Sequence, residues 1–289
     1  MPRITPHQEQ QGFMTLAQNT DVDYLKLAYA QALSIKLAMP GSRYAVAVDP
    51  HTAEQIQERH HRVFDYVVTM EDDHAANETW KLSNEWQIFD LTPFKETIKL
   101  ESDILFTRDC SHWWHAFRFQ DVVLSQGCKN FQQQLNKFRE YRKVFDSNGL
   151  PDTYSGLMYF RFSQTAHDFF NLARSIFLNW AEVRDQTLSH CLDSQPTTDL
   201  VYAIAAKILG LEKCLLPTVD FVNFTHMKNA INDWPQATAW PELVMSEYDL
   251  PMVRINNINQ YHPLHYQEKS WVTDDLIERY EYEYQRRIS

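Results

Sequence analysis

Two carboxylates, one residue apart, interrupt an apolar run at residues 97–106. In a β-strand, successive side chains point to opposite faces, so Glu101 and Asp103 would point the same way and Ser102 the other way. Two acids beside a buried apolar strand are costly to leave unpaired, and a divalent cation bound through oxygen would compensate their charge. The alternative is a pair of solvated acids at the end of a strand. The pattern therefore raises the hypothesis of a metal site without deciding it.

The elements before this acid pair alternate between strands and helices. Such alternation is typical of a parallel sheet with helices on its faces, and these sheets bind ligands at the carboxyl ends of their strands. Glu101 and Asp103 would then lie at the end of the fourth strand, where a ligand is expected. The predicted elements are strands at residues 12–18, 44–48 and 64–70 and helices at residues 22–37, 52–60 and 80–91.

The elements after the acid pair are again strands and helices as far as Lys228, and an irregular segment begins at Asn232. A predicted amphipathic helix at residues 131–145 carries a basic face at residues 137–143, as a solvated surface or as a contact to a phosphate-bearing molecule. The other predicted elements are an aromatic helix around residues 113–117, strands at 121–125 and 153–160, helices at 164–180 and 199–209, strand and loop at 215–228, and a charged helix at 273–287.

The composition restricts how a phosphate-bearing ligand could be bound. The chain of 289 residues contains only 6 glycines and has no glycine-rich phosphate loop. A phosphate would therefore have to be bound by a metal, by Lys or Arg, or by the N-terminus of a helix. The net charge of −11 argues against wrapping of a nucleic acid, although a local basic patch could still bind one.

The cysteines indicate a reducing compartment. They lie far apart without CxxC spacing, and the N-terminus lacks the pattern of a signal peptide. We therefore expect free thiols and a cytoplasmic location. No apolar run approaches the length of a membrane span, so no membrane partner is expected. The four residues are Cys110, Cys128, Cys191 and Cys214.

From Phe13 to about Trp234, the chain resembles the GT-A class of nucleotide-sugar glycosyltransferases, particularly the family-8-like branch and its bacteriophage-encoded relatives. In that class the fourth strand ends in an Asp-x-Asp motif, which Glu101 and Asp103 match with Glu in the first position. The class also has a downstream His followed by a Lys, here closer together than usual and without a Gly between them. The other matching positions are Ser155 and Gly156 on the acceptor-side strand, Asp199 at the start of a later helix, and His226 with Lys228.

The resemblance implies a role for each matching residue. The expected ion is Mn²⁺ or Mg²⁺, and Mn²⁺ is favoured because it accepts both carboxylate and imidazole ligands, whereas Mg²⁺ prefers oxygen and water. The implied metal ligands are Glu101, Asp103 and His226; Lys228 would contact the diphosphate; Gln18, Asn19 and Thr20 would contact the nucleoside; and Ser155, Gly156 and Asp199 would contact the sugar and the acceptor at the catalytic centre.

The resemblance also implies a fold and an activity. The expected fold is α/β of the GT-A (Rossmann-like) type, with a mostly parallel central sheet flanked by helices and an irregular, partly helical C-terminal extension. Residues 1–231 would form the catalytic domain, and residues 232–289 would pack on it. The expected enzyme transfers a hexosyl or pentosyl group from a nucleoside diphosphate sugar, with UDP as the nucleotide, to a hydroxyl acceptor. The family-8-like resemblance favours retention of the anomeric configuration.

The acceptor and the class of protein leave alternatives open. Bacteriophage relatives suggest a hydroxymethylated base in DNA, which the basic face at residues 137–143 and the rings of Trp113 and Trp114 would suit. A glycan or a small molecule is the other acceptor. A nucleotidyltransferase would also use an acid pair and a metal, and a non-catalytic sugar-binding or virion-associated protein would keep the aromatic residues without needing the metal.

Overall fold

A six-stranded sheet forms the centre of the computed structural model, which describes residues 5–215 and 223–288. The strands are β1 (Glu9–Ala17), β2 (Tyr44–Val48), β3 (Tyr66–Thr69), β4 (Phe94–Leu100), β5 (Ile104–Leu105), β6 (Val122–Gln126), β7 (Thr153–Arg161), β8 (Thr225–His226), β9 (Ser246–Asp249), β10 (Met252–Ile255), β11 (Ile258–Asn259) and β12 (Leu264–His265). The central order is β3-β2-β1-β4-β7-β6, with β1 to β4 parallel and β7 antiparallel to both of its neighbours. The predicted mostly parallel sheet is confirmed.

Helices cover both faces of this sheet. They are α1 (Tyr24–Ala38), α2 (Pro50–Ala53), α3 (Glu58–His61), α4 (Ile88–Leu91), α5 (His112–Phe117), α6 (Lys143–Asn148), α7 (Gln164–Leu178), α8 (Trp180–Thr187), α9 (Thr198–Ile208) and α10 (Asp274–Ile288). Phe13 packs in the layer that contains α1 and α10, whereas its neighbour Met14 packs with α7 and α9. Because β1 is buried on both sides, apolar residues follow one another without alternation, as expected for a parallel strand. Within the described residues, no helix has the length and apolar character needed to cross a membrane.

The acid pair lies at the end of the fourth strand, where the sequence predicted it. β4 ends at Leu100, Ser102 and Asp103 form a turn, and β5 begins at Ile104. The alternation of a regular strand, which was the reason for expecting both acids on one face, therefore does not apply to Glu101 and Asp103. The chain leaves the central sheet at Glu101. β5 then joins a second sheet in the order β5-β12-β8.

The helix predicted at residues 131–145 was wrong. Only its last part is helical, as a short 3₁₀ turn at Glu140–Arg142 followed by α6. The side chain of Asn130 accepts a hydrogen bond from the backbone of Gln134, and that of Asn136 accepts one from Phe138. These local side-chain bonds compete with helical backbone bonds, and apolar periodicity does not register them.

Three smaller differences concern element boundaries. The helix predicted at residues 52–60 is split into α2 and α3, and the one at 80–91 is a 3₁₀ helix, Lys81–Gln87, continued by α4. The irregular segment after Asn232 contains a small antiparallel sheet of β9, β10 and β11. Of the strand and loop predicted at 215–228, residues 216–222 lie outside the described residues.

Substituting Gly12 in β1 tests the packing between β1 and β4. A Cβ atom at this position would lie 2.2 Å from Cζ of the fully buried Phe94 ring. We expect Gly12→Ala to lower the free energy of unfolding by about 1–3 kcal/mol, because the enclosed ring cannot move aside. Urea denaturation measures this change. In a Phe94→Leu background the same substitution should cost less, and an equal cost in both backgrounds would contradict the packing explanation.

Candidate functional site

Two strands bring Glu101 beside the Ser155-Gly156 pair. β7 is antiparallel to β4, so the beginning of β7 lies at the same edge of the sheet as the end of β4. The backbone N–H of Glu101 donates to the carbonyl of Gly156 at 3.1 Å. The hydroxyl of Ser155 donates to Oε1 of Glu101 at 2.7 Å. One oxygen of the Glu101 carboxylate is thereby held in position, and the other is directed elsewhere.

A histidine from the C-terminal part of the chain completes a cluster with the two acids. Nε2 of His265 lies 3.2 Å from Oε2 of Glu101 and 3.1 Å from Oδ2 of Asp103. One ligand atom from each of these three residues lies within 4.8 Å of the others. The cluster forms because β12 pairs with β5, which places His265 opposite Ile104, and because the N–H of Tyr266 donates to the carbonyl of Asp103 at 3.1 Å.

Positive side chains compensate the acids in this cluster. Lys269 forms an ion pair with the same oxygen of Asp103 that contacts His265. Burial raises the pKa of Asp103, but the charges of His265 and Lys269 outweigh it and hold the pKa well below its ordinary value. Burial lowers the pKa of His265, but the neighbouring Asp103 carboxylate raises it by more, so the pKa lies above its ordinary value. His265 and Lys269 are thus the groups of the protein that offset the charge of the two acids.

His226 lies against the cluster as a second imidazole. β8 runs parallel to β12 with His226 opposite His265, and the two rings stack with centroids 4.3 Å apart and planes inclined by 12°. Burial lowers the pKa of His226 well below its ordinary value, and the charge of His265 lowers it further. His226 is therefore neutral and able to accept a hydrogen bond or a metal. Its predicted role as a ligand stays a prediction.

One cavity of about 440 Å³ contains the cluster and most of the predicted site. It lies at the edge of the sheet where β4 ends, as expected for ligand binding in a parallel sheet. Asn19 does not line it: Oδ1 of Asn19 accepts from the N–H of Leu25, and Nδ2 donates to Asp23 and Gln55, so the amide fixes the start of α1. The predicted site residues that line the cavity are Gln18, Thr20, Glu101, Asp103, Ser155, Gly156, Asp199, His226 and Lys228.

Solved structures share this architecture. A crystal structure of the galactosyltransferase LgtC in complex with donor and acceptor sugar analogs superposes with a TM-score of 0.51 at 12% identity, covering 95% of each chain. The chain has the GT-A glycosyltransferase fold. Mouse xyloside xylosyltransferase 1 superposes with a TM-score of 0.44 at 9% identity, over 81% of this chain and 90% of that one. No protein-family model matches the sequence, and no curated protein sequence does. The assignment to the family-8-like branch and the bacteriophage origin stay predictions.

The His265–Lys269 pair is the part of this GT-A site that sequence reasoning missed. The resemblance implied a His followed by a Lys, and His226 with Lys228 was chosen although their spacing was short. His265 and Lys269 are four positions apart and make direct contacts with the acids. The wider spacing was the available signal, but the pair lies beyond Trp234, where the resemblance ended. All four residues line the same cavity.

Asp199 fixes the beginning of β7 at the edge of the cavity. Its Oδ1 accepts from the N–H of Ser155 at 2.6 Å, and its Oδ2 accepts from Arg142 at 2.9 Å. The Arg142 guanidinium is buried between the rings of Phe145 and Tyr154, with Cζ 3.6 Å and 4.4 Å from the ring centroids. Arg142 was expected on a basic helix face, either solvated or in contact with a phosphate-bearing molecule, and its burial contradicts both alternatives. Both carboxylate oxygens of Asp199 are therefore already engaged by the protein.

A buried ion pair lies behind the same strand. Lys99 in β4 is fully buried, and its ammonium lies 2.7 Å from Oε2 of Glu85 and donates to the carbonyl of Ser155 at 3.3 Å. Burial lowers the pKa of Lys99, but the carboxylates of Glu85 and Glu101 raise it by more, so Lys99 stays charged. Ser155 is thus held at its N–H by Asp199, at its hydroxyl by Glu101 and at its carbonyl by Lys99.

We expect Lys99→Met to lower the free energy of unfolding by about 3–5 kcal/mol, because it leaves Glu85 buried without a partner. The double variant Lys99→Met/Glu85→Gln should recover part of that loss, since it removes both charges. Urea denaturation of the three proteins measures the difference.

The matched control for this pair is the more exposed ion pair of Arg118 and Glu96, with N–O distance 2.8 Å. Arg118→Met should cost at most about 1 kcal/mol, because exposed pairs contribute little. A double variant at Lys99 and Glu85 that is no more stable than Lys99→Met would contradict the importance of the unpaired charge.

Proposed function

We propose that this protein is a metal-dependent glycosyltransferase that transfers a sugar from a nucleoside diphosphate donor, with UDP as the nucleotide, to a hydroxyl acceptor. The observation that supports this proposal most strongly is the cluster of Glu101, Asp103 and His265 inside the cavity at the edge of a GT-A sheet. Transfer requires a leaving diphosphate to be stabilised. The cavity offers acids for a metal and ammonium groups for phosphate oxygens at one place.

The donor set of the cluster fits a divalent cation. Two carboxylates and one imidazole approach one another within 4.8 Å, and Nε2 of His265 lies within hydrogen-bonding distance of an oxygen of each carboxylate. A cation bound there would take Nε2 as a ligand, and a ligating imidazole must be neutral. Mixed carboxylate and imidazole ligands suit Mn²⁺ better than Mg²⁺. When bound, such an ion would act as a Lewis acid that stabilises the charge on the leaving diphosphate.

The remaining lining residues suit the other parts of a donor. The ammonium groups of Lys228 and Lys269 line the cavity beside the cluster and can neutralise phosphate oxygens. Nε2 of the buried Gln18 has no acceptor within the described part of the chain, so Gln18 can donate to a nucleoside. Thr20 lies beside it, whereas the Asn19 side chain is used within the protein. These observations favour the nucleoside at the end of β1.

Ser155, Gly156 and Asp199 form the wall facing the cluster. Because both carboxylate oxygens of Asp199 are engaged, we propose that Asp199 orients Ser155 and that the Ser155-Gly156 segment meets the sugar and the acceptor. A Cβ atom at position 156 would lie 3.5 Å from Nδ1 of His265 and from Cδ1 of Ile104, in ordinary van der Waals contact, so Gly156 lies directly against the proposed metal ligand. Retention of the anomeric configuration stays a prediction.

The donor assay tests the proposed function. With Mn²⁺ and a panel of UDP-sugars, we expect release of UDP, which EDTA abolishes. Asp103→Asn and His265→Ala should each weaken metal affinity by about 10- to 100-fold or more, the range produced even by loss of outer-shell partners. UDP release and Mn²⁺ titration measure these effects.

The control variant is His167→Ala, because this histidine is exposed on α7 and does not line the cavity. It should leave UDP release and Mn²⁺ affinity unchanged. If no donor yields UDP and Asp103→Asn binds Mn²⁺ as the wild type does, a non-catalytic sugar-binding protein would be the better interpretation. Nucleotidyl transfer would instead release pyrophosphate from a nucleoside triphosphate.

The acceptor is proposed to be a glycan or another hydroxyl compound rather than a hydroxymethylated DNA base. The basic segment that would have contacted DNA is largely neutralised within the protein: Arg139 pairs with Asp146 and Asp152, and Lys143 pairs with Glu140. Arg142 is buried, as described above. The net charge of −11 adds to this argument.

We accordingly expect duplex DNA containing hydroxymethylated bases to bind no more tightly than about 10⁻⁶ M at physiological salt, the range of non-specific binding. Fluorescence anisotropy across a salt series measures it. Tight binding that weakens steeply as salt rises would contradict this expectation, because a steep slope indicates several phosphate contacts, and would support DNA as the acceptor.

A further inference from the structure

The turn that carries the two acids is held by a glutamine from α1. The side chain of Gln31 is fully buried, and its Nε2 donates to the carbonyl of Glu101 at 2.6 Å and to the carbonyl of Ile104 at 3.0 Å. These two carbonyls lie at the two ends of the turn. One amide group therefore connects the residue where the chain leaves β4 with the residue where it enters β5.

The orientation of this amide is itself fixed. The hydroxyl of Tyr44 donates to Oε1 of Gln31 at 2.8 Å, so Nε2 must face the turn. Tyr44 lies in β2 and is fully buried, and burial raises the pKa of its hydroxyl well above the ordinary value, which keeps it a neutral donor. Hydrogen bonds thus connect Tyr44 in the central sheet, through Gln31 in α1, to the turn that carries the acids.

The other backbone groups of the turn are bound from different directions. The carbonyl of Leu100 accepts from Thr15 at 2.7 Å, the N–H of Glu101 donates to Gly156, and the carbonyl of Asp103 accepts from Tyr266. The Gln31 amide supplies the bonds on the α1 side, where the chain is enclosed by the apolar core. Buried carbonyls without a donor are costly, so the turn would rearrange if the amide were removed.

We propose that Gln31 is a positioning residue for the metal site, which sets the separation of the Glu101 and Asp103 carboxylates so that both reach one cation. This inference rests on the proposed function, because it takes the ligand of the acids to be a divalent metal. Gln31 itself does not line the cavity, and its bonds to the turn go to backbone carbonyls and not to either carboxylate. Its effect on the ligands is therefore indirect.

Mn²⁺ binding to the purified protein without donor, followed by electron paramagnetic resonance, tests the proposal. Gln31→Met keeps the length of the side chain and removes both donated bonds, and we expect at least a tenfold weaker Mn²⁺ affinity. Ser34→Ala is the matched control: Ser34 is buried on the same helix, and its hydroxyl accepts from the N–H of Phe106, beyond the turn, at 2.9 Å. The hydroxyl also donates to the backbone carbonyl of Gln31 at 2.7 Å, but it has no bond to the Gln31 amide or to the turn. Thermal unfolding should show a loss of stability in both variants, but the control should bind Mn²⁺ within about twofold of wild type, since it leaves the turn bonds intact.

Equal Mn²⁺ affinity of Gln31→Met and wild type, or an equal loss in Ser34→Ala, would overturn the proposal. If Gln31→Met does not fold, Tyr44→Phe replaces it: the amide loses its anchor, and Mn²⁺ affinity should fall several-fold while the control stays unchanged. If the wild type binds no Mn²⁺, the proposed metal site fails, and the imidazole ¹H–¹⁵N signals of His265 decide the positioning role. Signals that shift with Gln31→Met and not with Ser34→Ala support it, and signals unchanged in both reject it.

Discussion

Compensation of the Glu101 and Asp103 charges is the constraint on which the rest of the site depends. Asp103 is almost fully buried, and two neighbouring carboxylates would repel each other in such a place. His265 bridges them, and Lys269 adds a further positive charge to Asp103. Two side chains from the C-terminal part of the chain therefore supply the positive charge that the proposed metal would supply when bound.

This constraint also explains how the C-terminal segment relates to the GT-A sheet. Lys269 is 166 positions from Asp103 in sequence, and His265 reaches the acids because β12 pairs with β5 on one side and β8 on the other. The small second sheet therefore positions His265 beside the acids. A boundary near residue 231 would separate the acids from two of the residues that neutralise them, so the two parts of the chain depend on each other for the cluster.

Sequence patterns predicted the central sheet, but they did not predict which residues from the C-terminal part of the chain complete the site. The alternation of strands and helices and the unbroken apolar strands follow from burial on both faces, which leaves a local trace in the sequence. The helix at residues 131–145 failed because Asn130 and Asn136 bond to nearby backbone. The turn at Ser102 and Asp103 was not predicted, because the partners of the buried Asp103 come from a distant part of the chain. His265 was missed for the same reason, since strand pairing over a long separation leaves no periodicity to detect.

The low glycine content of the chain limits how the site could bind a phosphate group. The chain contains 6 glycines and no glycine-rich phosphate loop, so the proposed donor would be bound by a metal, by Lys or Arg, or by the N-terminus of a helix. Side chains are more mobile than the backbone, so a site built from side chains needs further hydrogen bonds that fix their positions. Such bonds lie behind the cavity wall. Ser155 is bound at three atoms by Asp199, Glu101 and Lys99, and Asp199 is bound in turn by Arg142. Buried ionic networks of this kind contribute little net stability, so their value here lies in the fixed geometry that they impose on the cavity.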